Sequence, residues 1–140
     1  WITPEQVAGM VAGETREFLL NPLSSGLGTL VLRMDLGGGR YLLVENRQRS
    51  GSDAMQRAEG MLVLEVDPSR AEGTAIVRVA DANPATPRLY AAPFLPGRGE
   101  RRHYVNDAAG IAVVPVETTP DGTMRVRVTT PGRAARPGPD

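Results

Sequence analysis

The chain has 140 residues, 16 arginines with no lysine, 16 acidic residues and a formal net charge of +0, so charge gives no case for nucleic acid or an anionic membrane as partner. One histidine and no cysteine exclude a His-Glu-x-x-His peptidase centre, and a Cys/His structural zinc site, built from this chain alone. The length supports one hydrophobic core rather than two ordinary domains, and no apolar run is long enough for a membrane-spanning helix.

In chain order, Thr3 can cap one short helical turn that starts at Pro4 and ends by Gly13. Beyond it the pattern is β. Strands are predicted over Glu17–Leu20, Leu27–Asp35, Arg40–Asn46, Met61–Val66, Thr74–Ala80, Ile111–Glu117 and Thr123–Thr129. About seven strands predict an all-β fold, an antiparallel β-sandwich of jelly-roll or immunoglobulin-like type, over residues 1–130. Gly37-Gly38-Gly39 and Pro120-Asp121-Gly122 supply the turn chemistry of two hairpins. The glycine run is no phosphate loop, since neither a helical pattern nor a lysine follows it.

Met124, Val126 and Val128 alternate with Arg125, Arg127 and Thr129, which gives that sheet one wet face. Leu27 to Met34 and Tyr41 to Val44 are apolar at nearly every position. Two readings are open for them: strands covered on both sides within the sandwich, or a face that meets another domain. The connection from Asn83 to Asp107 carries four prolines, so it cannot pair as a central strand. Its Tyr90, Phe94 and Leu95 are expected to cap an open end of the core. From Pro131 the composition turns to Gly, Ala, Arg and Pro, which predicts a disordered tail or linker over 131–140.

The most informative stretch is Tyr41 to Pro68, where an apolar strand ends in Glu45, Asn46 and Arg47. Charges at a partly dry strand end are costly unless paired. Glu45, Asn46, Arg47, Gln48 and Asp53 are therefore expected to form one mostly buried network that ties the strand to the following loop. Asp53, Asp67 and Asp81 also stand at strand ends or loops and are candidate calcium ligands. No Asp-x-Asp-x-Asp-Gly run accompanies them, and ion pairing of the acids with Arg47 and Arg78 is the preferred reading. His103, in Arg101-Arg102-His103-Tyr104, reads as a surface imidazole rather than a catalytic one.

The same stretch resembles a domain that follows the catalytic domain in secreted metallopeptidases of the immune inhibitor A family. The resemblance rests on Tyr41 to Gln48 (Tyr-x-Leu-x-Glu-Asn-Arg-Gln), on Gly51-Ser52-Asp53, and on Gly60-Met61-Leu62 to Val66-Asp67. Trp1-Ile2-Thr3-Pro4 is similar to the junction closing the family's catalytic domain, and Val79-Ala80-Asp81 to a later element. Gly110-Ile111-Ala112-Val113 to Met124-Arg125-Val126 is similar to the closing hairpin. Two departures stand out: Glu65 replaces a frequent His, and Pro68 a frequent acid.

The resemblance implies a noncatalytic accessory domain in a secreted, bacterial protein, with the export signal and zinc-bearing catalytic domain upstream. It implies no cofactor of the chain's own. The partner it implies is the catalytic domain of the same parent chain, with Trp1 in the interdomain seam, and weak self-association of the isolated domain through that side. The other function class is an independent extracellular binding module for carbohydrate or cell-surface protein. Aromatic residues make up only 4% of the chain, which leaves little for a sugar-stacking platform. A glycosidase pair of acids would need a deep cleft that so short a chain has little room to build.

Overall fold

The computed structural model describes residues 6–10, 15–22, 25–48, 59–69, 76–85, 92–96 and 102–134. Among them are nine strands and one helical turn: β1 Val7–Met10, β2 Arg16–Leu20, β3 Val31–Gly37, β4 Arg40–Arg47, β5 Gly60–Val66, β6 Val77–Val79, β7 Tyr104–Asn106, β8 Ile111–Thr118, β9 Met124–Thr129 and α1 Pro131–Ala134. The fold is all-β, and two sheets pack as a sandwich. One sheet has the order β1-β3-β4-β5-β6, the other β2-β9-β8-β7.

Pairing is antiparallel throughout except between β1 and β3. There Val7 to Met10 run parallel to Val31 to Met34, and the Leu30 amide donates to the Gln6 carbonyl at 2.8 Å. The helical turn expected between Pro4 and Gly13 is thus replaced, in its described part, by an edge strand. A segment with β-branched Val7 and with Gly9 has little helical propensity to oppose that pairing.

The strand expected from Leu27 begins only at Val31. Gly26 and Gly28 have φ of 66° and 72°, and the Asn21 side-chain amide donates to the Leu27 carbonyl at 2.7 Å, which holds the chain in a turn before the ladder starts. Of the strand expected over Thr74–Ala80, Val77–Val79 pairs; 74 and 75 lie outside the described residues.

The inward side chains of both sheets make one core. From the first sheet come Leu32, Met34, Leu42, Val44, Met61 and Val63; the second contributes Leu20, Tyr104, Ile111, Val113, Met124, Val126 and Val128. Burial of that many large apolar groups, at about 25 cal/mol per Å² of apolar surface, is the main favourable term. Phe94, 1% exposed, completes it from the long connection. Its backbone exchanges two hydrogen bonds with Met61, at 2.7 and 2.8 Å. Only glycine fits beside this bridge at position 60, because φ is +138° there and a Cβ would stand 2.5 Å from the Phe94 carbonyl oxygen. Tyr90 lies outside the described residues, and Leu95 is half-buried.

The β8–β9 turn closes through hydrogen bonds from the Thr119 amide to the Thr123 carbonyl and from the Gly122 amide to the Thr119 carbonyl. Asp121 accepts from the Thr119 hydroxyl and the Thr123 amide, and these bonds hold its carboxyl below the usual aspartate range. The tail expected from Pro131 begins instead with a single helical turn beside β8. Proline is suited to the first position of a helix, and the Ala134 amide reaches the Thr130 carbonyl at 3.0 Å.

Candidate functional site

Strand alternation decides where the candidate residues go. Along β4, Leu42, Val44 and Asn46 face the core, while Tyr41, Leu43, Glu45 and Arg47 face outward. The described members of the expected network, Glu45, Asn46, Arg47 and Gln48, thus start from two faces of the strand. On the outer face the Arg47 Nε and Nη2 both reach the Glu45 Oε2 at 2.9 Å. On the inner face Asn46, fully buried, donates from Nδ2 to the Leu20 carbonyl at 2.8 Å and to the Gly122 carbonyl at 2.7 Å. Its Oδ1 accepts from the Gln48 amide at 2.7 Å. Leu20 belongs to β2 and Gly122 to the β8–β9 turn, so this one side chain pins the two sheets together at their end. Asp53 lies outside the described residues, as does Trp1.

The other candidate acids are engaged in separate places. Asp67 accepts from the Ser69 amide and hydroxyl, and Asp81 accepts from the Asn83 amide at 2.9 Å. Both are Asx turns. Among the described residues no group of three or more His, Asp or Glu side chains is placed to hold a metal ion.

The outer faces of the two sheets differ. On the β2-β9-β8 surface Arg127 donates to Glu17 at 2.7 Å, and Arg125 lies 3.2 Å from Glu117. The charged ladder makes this the wet face expected from the alternation in β9. Thr129 departs from that expectation: it is 3% exposed, and its hydroxyl bonds that of Thr15 at 3.0 Å. On the five-stranded sheet parts of two cross-strand rows are apolar across β4, β5 and β6, Tyr41, Val66 and Val77 in one and Leu43, Leu64 and Val79 in the next, while their β3 members are the ion-paired Asp35 and Arg33. Val77 is 51% exposed, and Leu43, Leu64 and Val79 are half-buried. The Arg33 guanidinium covers the Tyr41 ring at 3.9 Å.

A polar cluster lies where the edges β6 and β7 approach each other. Register places Glu65 opposite Leu42 and Arg78, hence on the inner face. The Tyr104 hydroxyl donates to the Glu65 Oε2 at 2.6 Å, and the Asn106 side-chain amide donates to the Tyr104 hydroxyl at 3.2 Å. Burial, and then the bond to Glu65, hold the Tyr104 hydroxyl protonated well above the usual tyrosine range. Arg78 Nη2 stands 3.9 Å from Glu65 Oε1.

Two clefts flank this pair. One, of about 260 Å³, is lined by Leu36, Arg40, Val66, Asp67, Ile76 and Asn106 besides Glu65 and Arg78; the other, of about 250 Å³, opens toward Asp81, Phe94 and His103. Sequence reasoning passed over Arg40, Tyr104 and Asn106. The available signal was Glu65 itself, a carboxylate at an inward position of the alternating run Met61, Val63, Glu65.

No family model, curated protein or solved structure matches the chain.

Proposed function

We propose that the chain is a noncatalytic β-sandwich accessory domain of a secreted metallopeptidase-like protein, packing against the catalytic domain of the same parent chain. The observation that carries the docking is a patch of aliphatic and aromatic side chains on β4, β5 and β6 of one sheet, bordered by the Arg33–Asp35 and Arg47–Glu45 ion pairs, where the other sheet shows water a ladder of ion pairs. An antiparallel sheet with a solvated face alternates polar residues there, and aliphatic rows are the composition of a covered one. The family part rests on the resemblance, whose two longest motifs fall on the paired strands β4 and β5. Those strands supply most of the apolar rows. Such a seam would bury on the order of 600 to 1,500 Å². The domain contributes no peptidase chemistry and no cofactor of its own.

The test is to produce the segment encoded upstream of Trp1 and mix it with this domain. Complex formation is expected, and the double substitution Leu43→Arg, Leu64→Arg is expected to abolish it. Substitutions on the opposite face, Arg125→Ala or Arg127→Ala, should leave it intact. If the two domains show no affinity at high micromolar concentration, the independent extracellular binding module becomes the better reading. An upstream segment without His-Glu-x-x-His would remove the metallopeptidase part alone.

A further inference from the structure

The cleft beside Glu65 has an imbalance between its donors and acceptors. Its two carboxylates are engaged internally: Glu65 accepts from the Tyr104 hydroxyl at 2.6 Å, and Asp67 accepts from the Ser69 amide and hydroxyl. Its donors are less committed. Arg78 has Glu65 at 3.9 Å as its ion-pair partner, beyond hydrogen-bonding range. The Arg40 side chain makes no hydrogen bond or ion pair among the described residues. Asn106 gives one amide hydrogen to Tyr104 and keeps a second. Leu36, Val66 and Ile76 form the apolar remainder of the wall.

We infer that this cleft binds a small monocarboxylic acid with a short apolar body, its carboxylate between Arg40 and Arg78 and its body against Leu36, Val66 and Ile76. Guanidinium groups match a carboxylate by paired, charge-assisted hydrogen bonds. The lining carries two arginines against one glutamate and one aspartate, so its formal charge sums to zero. Against that balance a monocarboxylate adds one uncompensated negative charge and a phosphate dianion two, so the single charge is the better tolerated. At about 260 Å³ the space is below that of ordinary drug-sized sites, so binding in the millimolar range is expected. The same chemistry is presented by a free acid and by a peptide C-terminus ending in an aliphatic residue. The site shares Val66 with the proposed seam, but Glu65 and Arg78 belong to the opposite face of the sheet, and its failure would leave that reading untouched.

Titration of the isotope-labelled chain, followed through its amide resonances, is the test. The probes are N-acetyl-leucine, its uncharged carboxamide, inorganic phosphate, and a short peptide ending in leucine. N-acetyl-leucine should give saturable shifts at Val66, Ile76, Arg78 and Asn106, and the carboxamide none. Arg78→Gln should weaken binding by about tenfold, and so should Arg40→Gln, whose exposed side chain has no fold-supporting bond to lose. Tighter binding of the peptide assigns the source to a chain terminus, and equal binding to a free acid; either supports the site. Absence of saturable shifts, equal binding of the carboxamide, tighter binding of phosphate, or two arginine variants that bind like wild type would each overturn it.

Discussion

Asn46 and Arg47 are neighbours in sequence with opposite fates, because successive strand residues face opposite ways. Asn46→Ala removes three hydrogen bonds from a fully buried site and strands the Leu20 and Gly122 carbonyls, which face each other across the sheet junction. An orphaned buried acceptor costs about 1 to 3 kcal/mol, which applies to the Leu20 carbonyl and in part to the part-buried Gly122 carbonyl, so the variant should lose about 3 kcal/mol. Arg47→Ala leaves Glu45 without that partner, but the side chains keep 28% and 10% of their exposure, and water compensates part of the loss. About 1 kcal/mol is expected, between a surface pair and a buried one. Urea unfolding of both variants reads the order, and an Arg47→Ala loss larger than that of Asn46→Ala would contradict it. The polar residues at the end of β4 were legible in the sequence, but the long-range role of one was not: Asn46, taken as an adjunct of the charges, is the residue that joins the sheets.

At the scale of elements, the short edge strand β7 is held to the opposite sheet through one side chain. Tyr104 reaches from β7 to Glu65 on β5, and its hydroxyl resists ionisation because of burial and that bond. An unfolded tyrosine releases its proton near the ordinary value of 10.0, whereas the folded one holds it higher. The folded state therefore binds more protons in that range. Stability is fully present below pH 10 and should fall as pH rises beyond it. The chain has no lysine, so no lysine ionisation overlaps this range. Tyr104→Phe should cost about 1 kcal/mol at neutral pH and flatten the alkaline decline. A decline of unchanged slope in the variant would show that the hydroxyl is not responsible. The long alternating strands β4, β5, β8 and β9 were readable from sequence, as were the two glycine-bearing turns. Of the short ones, β2 and β6 fall on expected strands and β1 and β7 do not, for a physical reason: Val7–Met10 and Tyr104–Asn106 carry no period of their own and become strands through the neighbour that pairs with them.

For the whole molecule the deciding question is whether the apolar rows of the five-stranded sheet are covered by the domain itself or need another surface. Glu17, Glu117, Arg125 and Arg127 keep the opposite face apart from copies of itself. Around Leu43, Leu64, Val77 and Val79 the charges stand only at the border: Arg33, opposite Leu43 and folded over Tyr41, pairs with Asp35, and Arg47 pairs with Glu45. In isolation the domain should therefore associate with itself weakly, through this face, in a concentration-dependent manner seen by sedimentation velocity. Leu64→Arg is the sharpest probe. The residue is half-buried on the outer face, and an arginine can lay its methylene stem along the sheet while its guanidinium stays in water. The variant should run as a monomer with a stability change within about 0.5 kcal/mol, as for ordinary surface substitutions. Arg127→Ala, on the charged face, should associate like wild type. A wild-type chain that stays monomeric at high concentration, together with a Leu64→Arg chain that melts far earlier, would mean that the rows are already packed within the domain. In that case no seam is needed, and the apolar strands are central strands of a sandwich whose loops close over them.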